Sequence, residues 1–307
     1  MGSRTLPLVA GATAVFTLLL PARALAQGAA PNPVPARTGK NCLDQPRAKV
    51  VADHALLLSL NPTGHEHQVE AATCLPLVQR PGVLFDYTNL KLGALAVTSL
   101  VYHHQGLFLS VSPLSLLEFR AEAHGVMQWP LAIQGAGYYP RLAYGDDNRG
   151  ATMPAGGGGY ATGWNVVLKT IGRVKVDVGP VALIATDTLG LEVWEIGRRP
   201  YYFNQRKDLT LARRDVMLTN SALFLVEAGL PWGWALRVGV MDELAVVPRA
   251  AYLRHRVSAV ATVSIPRAGG IMRGVQPFTA VGIHTHHALR AQQPFAVLGL
   301  GTSYDLL

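Results

Sequence analysis

The sequence predicts an all-β chain that closes into an antiparallel transmembrane β-barrel of about twelve strands. Three observations lead there. Between Lys91 and Glu118 no residue is charged, yet His103-His104-Gln105-Gly106 reads as a turn and Pro113 would break a helix, so the stretch reads as a hairpin of strands. Its second half alternates: Leu107, Leu109, Val111, Ser115, Leu117, Phe119, Ala121 and Ala123 fall on one face, while Phe108, Ser110, Ser112, Glu118, Arg120 and Glu122 fall on the other. The composition is intermediate: 50% hydrophobic, 15% charged, mean hydropathy +0.23. That is apolar for a soluble domain and polar for a helical membrane protein, as expected when one face of each strand meets lipid and the other a polar lumen.

The chain of 307 residues opens on Arg4, an apolar run from Leu6 to Leu20, Pro21 and Ala24-Leu25-Ala26, the pattern of a secretory signal cut after Ala26. Residues 1–26 are read as signal peptide, 27–48 as a Pro/Ala/Gly-rich leader and 49–307 as the barrel. Loss of Arg4 and Arg23 lowers the formal charge from +8 to +6. In an exported chain this basic excess points to anionic lipid headgroups or anionic solutes, not to nucleic acid. Cys42 and Cys74 are an even pair in an oxidising compartment and are expected to form a disulfide, two unpaired thiols being the alternative.

Strand signals then recur in order: Val50–Leu60, His67–Val78, Val83–Tyr102, Leu107–Ala123, Val126–Leu142, Tyr160–Thr170, Val174–Ile196, Asp215–Ala228, Trp232–Glu243, Tyr252–Ile265, Gln276–His287 and Pro294–Leu306. The turns expected between them include His124-Gly125 and Ile171–Arg173, with Gly179-Pro180 as a bulge in the seventh strand. Val174, Val176, Val178, Ala182 and Ile184 are assigned to one face there, against Lys175, Asp177 and Asp187. An even count returns both termini to one side and places the two longest loops, 143–159 and 197–214, on the other. Ten strands, with residues 41–80 as a cap, is the alternative.

The lumen-facing candidates are Glu118, Arg120, Glu122, Lys175, Asp177, Arg237, Arg254 and Arg256. They either line a conduit or form an ion-pair network that fills the barrel. His284 and His286, two apart in a strand, are weak metal-ligand candidates, with polar rim residues as the plainer reading; His103-His104 reads the same way. Ser110, Ser112 and His103 lie close in sequence but match no activated-nucleophile motif. Gly156–Gly159 lacks the Lys-Ser/Thr of a phosphate loop. No catalytic residue and no cofactor is assigned. Tyr138, Tyr139, Trp164, Trp194, Trp232, Trp234 and Tyr252 lie near strand ends, where interfacial aromatics are expected.

The signal segment, the even run of alternating strands and the ending Phe295-Ala-Val-Leu-Gly-Leu-Gly-Thr-Ser-Tyr-Asp-Leu-Leu307 together resemble bacterial outer-membrane β-barrel proteins. The last residue departs from that pattern, with Tyr304 near the end and Leu307 in place of a terminal aromatic. The resemblance implies outer-membrane residence, contact with barrel assembly machinery, and a small-solute channel or structural barrel. A lipid-modifying barrel enzyme and a soluble exported binding barrel are the alternatives. It also implies that the basic loop, with Arg198, Arg199, Arg206, Lys207, Arg213 and Arg214, faces outward, where it meets lipopolysaccharide phosphates or is simply solvated.

Overall fold

The computed structural model describes Cys42 and residues 48–78, 84–85, 88–129, 161–198, 200–269 and 271–306. The expected signal peptide, most of the leader, the 143–159 loop with Gly156–Gly159, Tyr138, Tyr139 and Arg199 lie outside the described residues.

The strands are β1 (Lys49–Leu60), β2 (Gly64–Pro76), β3 (Asn89–Thr98), β4 (Tyr102–Leu114), β5 (Leu117–Gln128), β6 (Ala161–Val178), β7 (Val181–Ile196), β8 (Tyr201–Asn204), β9 (Leu209–Ala212), β10 (Arg214–Gly229), β11 (Ala235–Val247), β12 (Tyr252–Gly269), β13 (Met272–His286) and β14 (Pro294–Asp305). All except β8 and β9 form one closed antiparallel barrel of twelve strands, sealed where β1 pairs with β14. Because β1 and β2 belong to the wall, the ten-strand alternative falls away. The outward row of each strand is apolar and exposed, as at Leu92, Leu107, Phe119, Leu168, Leu189, Phe224, Val240, Val281 and Leu298. This belt is what a lipid-facing surface requires and a soluble barrel avoids. Asp187 and Asn220, hydrogen-bonded to each other at 2.7 Å, interrupt it.

Several expected turns lie inside strands. His103–Gly106 belongs to β4 and His124-Gly125 to β5, while the chain turns instead at residues 99–101 and at Ser115-Leu116. The misreading treated polar residues as turn residues, whereas His104 and His124 are polar because they face the lumen, where both are buried. Ile171–Arg173 likewise lies within β6, and Gly179-Pro180 is the β6–β7 turn, not a bulge. Gly179 sits there at φ +60°, a conformation that glycine adopts without a Cβ penalty. Val178 pairs with Val181 across that two-residue turn, so the inward parity switches from odd in β6 to even in β7. Ala182 is therefore buried inside and Asp187 exposed outside, the reverse of the assignment made by running one strand through the turn.

Two glycines make room for aromatic rings in the lumen. Gly93 faces Phe108 and Gly299 faces Phe278 directly across the sheet. A Cβ on Gly299 would lie 2.1 Å from the Phe278 ring, and one on Gly93 would lie 2.7 Å from that of Phe108. Near the termini, Cys42 is bonded to Cys74, a lumen-facing residue of β2, and packs with Val51, Ala72 and Leu95. The disulfide thus ties the segment before β1 to the inner wall.

Gly299→Leu is expected to block closure, seen as loss of the heat-shifted band on a denaturing gel. Cys42→Ser with Cys74→Ser should keep that shift but lower stability by roughly 3–4 kcal/mol, the worth of a bridge closing a loop of this length; urea midpoints of the two proteins would measure it.

Candidate functional site: a charged hairpin across the lumen

The inner wall is a paired charge lattice. Arg120 binds Glu70 through two guanidinium nitrogens, at 2.9 and 3.1 Å, and Glu122 at 2.6 Å, while stacking over Phe108. Glu122 also takes His124 at 2.9 Å and Lys169 at 2.7 Å. Glu118 pairs with Arg173 and accepts from Ser110 at 2.7 Å. Lys175 and Arg237 share Glu227, and Arg256 forks onto Glu243 and lies over Phe295. Asp177 is exposed two positions beyond Lys175 on the same row of β6. All eight candidates lie on the inward rows of their strands, and most are paired with one another or with charges elsewhere on the wall.

Between β7 and β10 the chain does not stay outside. β8 and β9 form a hairpin around Gln205-Arg206-Lys207-Asp208, with Asn204 Oδ1 accepting from the Lys207 amide at 3.0 Å. Asp208 takes a positive φ of 51°, which aspartate tolerates better than most residues. Tyr202, Phe203, Leu209 and Leu211 are fully buried, and the cluster around the hairpin includes Trp194, Ile196, Met217 and Val247 of the wall. Burying such a side chain is worth about 1.5–3 kcal/mol, so the hairpin is firmly seated.

The tip of this hairpin is held by three consecutive residues on three sides of the ring. Arg206 donates to Glu66 of β2 at 3.1 Å, and Tyr102 donates to the same carboxylate at 2.6 Å. Lys207 donates to Glu192 of β7 at 2.6 Å, and Trp194 shares that carboxylate at 3.1 Å. Asp208 accepts from Arg290 at 3.0 Å, and its carbonyl accepts from His287 at 2.7 Å. Arg254 of β12 donates to the Lys207 carbonyl. The basic loop is therefore split. Arg206 and Lys207 are interior residues, not solvated ones, because buried glutamates on the wall neutralise them. Arg198, Arg213 and Arg214 remain exposed.

Charges at the tip are tuned by this setting. Burial opposes the Arg206 charge most strongly of any single factor, but Glu66, Tyr102 and Glu192 together outweigh it and the guanidinium is pushed above its ordinary value. For Lys207 burial prevails, helped by neighbouring Arg206 and resisted by Glu192, and its ammonium is pulled down. Burial would raise the Asp208 carboxyl, yet hydrogen bonds from His287 and Arg290 hold it below the usual aspartate range.

Asp208, His284 and His287 bring ligand-type atoms within 4.8 Å of one another. Their hydrogen bonds do not suit a metal. His287 donates from Nε2 to Asp208, and its Nδ1 accepts from the amides of Leu289 and Arg290 at 3.0 and 3.1 Å, so both ring nitrogens are used. The pairing expected between His284 and His286 is also broken. A bulge at Thr285 sets Arg256 opposite His284 but His255 opposite His286, turning His284 inward and His286 out. His103 bonds Thr98 on the outer face, away from buried Ser110 and Ser112. His104 is fully buried in the lumen with neither ring nitrogen hydrogen-bonded.

Glu66, Glu70, Glu192, Asp208 and Arg290 were not singled out from sequence. One signal for the hairpin was present: Tyr201–Asn204 and Leu209–Ala212 are apolar-rich runs flanking four polar residues, which is how a hairpin looks and how a solvated loop does not.

No family model matches the chain, and no curated protein matches it. Among solved structures it is similar to the β-domain of the Bordetella autotransporter BrkA (9% identity, 84% of this chain and 98% of that one, TM-score 0.43). It is also similar to the translocator domain of the autotransporter NalP from Neisseria meningitidis (9%, 88% and 90%, 0.39) and to the KdgM porin (10%, 83% and 99%, 0.33).

Asp208→Asn keeps the backbone preference and removes the charge, so it should loosen the tip without unfolding the barrel. Limited proteolysis within 201–212 would report it. A depressed Asp208 value means its stabilisation is complete above the unfolded value, about 3.9, and fades as pH falls through the folded one. Hairpin protection should therefore be equal at pH 7 and pH 5 with respect to this group and drop only below pH ~4; a drop already at pH 6 would show that the Asp208 carboxylate is not the latch.

Proposed function

We propose that the chain is an outer-membrane β-barrel of non-enzymatic, structural type whose lumen is closed to solutes at rest. The supporting observation is the placement of Arg206, Lys207 and Asp208, whose anchors lie at β2, at β7 and in the segment after β13. A loop fixed on three sides of a ring spans it. The paired charges below support the same reading, since an ion-selective pore keeps one sign of charge unpaired along its path. Two adjoining lumen pockets that share Asp53 and Glu70 measure about 80 and 200 Å³. Assembly machinery recognising the β14 ending and lipid around the belt are the partners this reading carries.

A small-solute conduit is the second reading, favoured by the polar tip: the contacts that cross the lumen are ionic, and such contacts can exchange with water. Planar-bilayer conductance separates the two. The full-length barrel should be silent, and deletion of residues 201–212 should give steady openings. Porin-like openings of the unmodified protein would overturn the closed-barrel reading; a deletion that stays silent would show that the wall lattice alone seals the lumen.

A further inference from the structure

The outer wall carries a feature the closed lumen does not explain. Arg213, Arg214 and Arg249, all exposed, line a pocket of about 380 Å³ together with Tyr201. Arg214 begins β10 on the outward row and faces Glu195 of β7, which in turn faces Trp164 of β6. These three form a row at the ends of adjacent strands, directed at the membrane. Glu195 accepts from Arg214 at 2.8 Å and lies 3.8 Å from Arg213, while Arg249 donates to the Arg214 carbonyl at 2.6 Å. One carboxylate answers two of the three guanidiniums, so the pocket is cationic. Trp164, 43% exposed, is the kind of aromatic that sits at headgroup level, which places the arginines there too.

Below the pocket, on the lipid-facing side, runs a largely apolar groove of about 820 Å³ whose lining Asn220 interrupts. Leu109, Phe119, Leu168, Leu191, Leu218 and Leu244 line it, one from each of six strands that are neighbours in the ring. Five interstrand steps make it about 24 Å long. Leu218 lies four residues below Arg214 on the same face of β10, roughly 13 Å away with Val216 between them, so a lipid headed in the pocket has a track of outward residues leading to the groove.

We propose that this track binds one phosphorylated membrane lipid, its phosphate in the fork of Arg213, Arg214 and Arg249 and an acyl chain along the groove. Guanidinium forks match phosphate oxygens in geometry and charge. The apolar floor selects a lipid over a free anion, and the cationic head selects a phosphorylated lipid over its dephosphorylated form. The site does not depend on whether the lumen conducts.

Native mass spectrometry of the full-length barrel in detergent tests this, with purified lipid A, its dephosphorylated form and inorganic phosphate as probes. Lipid A should be retained, and Arg214→Ala with Arg249→Ala should weaken retention about tenfold or more, each lost charged hydrogen bond contributing. Leu191→Trp, which fills the groove, should weaken lipid A retention and leave any phosphate binding unchanged. The heat shift checks that each variant is folded, and Arg249→Ala alone replaces the double variant if that one is not. Equal retention of the dephosphorylated form would reduce the track to ordinary annular lipid and overturn the proposal. So would phosphate binding with no effect of Leu191→Trp, which would mark a simple anion pocket, or no retention of any probe.

Discussion

Backbone hydrogen bonding in a medium without water is the constraint on which the rest depends. Each N–H and C=O of a membrane-spanning strand must find its partner within the protein, and only a sheet that returns to its first strand leaves none at an edge. The β1–β14 pairing, continuous from Val51 with Asp305 to Leu60 with Ala296, meets this condition. Closure then dictates chemistry. Alternate residues face lipid and must be apolar; the others face an enclosed space and must be satisfied there. Half the side chains of twelve strands are thereby committed to an interior that admits charge only if charge is answered.

The interior answers it in two ways. Within the wall, acids are shared: Glu122 serves Arg120, Lys169 and His124, and Glu227 serves Lys175 and Arg237. Sharing leaves few charges uncompensated in a place where an unpaired one costs several kcal/mol. Across the lumen, the hairpin supplies cations to Glu66 and Glu192, which lie far apart on the ring. A solvated loop would leave those glutamates to water; a docked one uses them. Buried Tyr202, Leu209 and Leu211 hold the hairpin in place, and the charged tip fixes where it points.

Much of this architecture was legible in the sequence, for a reason the turns make plain. Moving the β4–β5 turn from His124-Gly125 to Ser115-Leu116 left the faces unchanged: Phe108 and Ser110 in β4, like Arg120 and Glu122 in β5, face inward as the alternation required. The two-residue turn that pairs Leu114 with Leu117 would by itself switch the parity, but the bulge between Val111 and Leu114 switches it back, so period-two patterning survives an error in where the strand ends. The same tolerance failed at Gly179-Pro180, where treating the turn as a bulge carried the wrong parity into β7. Pairing was less legible. Lumen residues meet partners brought close by ring closure, as Arg120 meets Glu70 from fifty positions away, and nothing local announces that distance.

The basic loop shows how one composition can hold two roles. Arg206 and Lys207 lie between apolar runs that fold them inward against glutamates; Arg213 and Arg214 follow Ala212, where the hairpin ends and the chain rejoins the wall. At that point the strand's outward row takes over, so Arg214 faces the membrane while Asp215 beside it is buried. Charge count alone could not divide the loop, because all four side chains are cations in one short stretch. The division comes from parity and from the hairpin's apolar flanks, which decide for each cation whether its counter-charge lies within the barrel, as Glu66 and Glu192 do for Arg206 and Lys207, or on the outward row, as Glu195 does for Arg213 and Arg214.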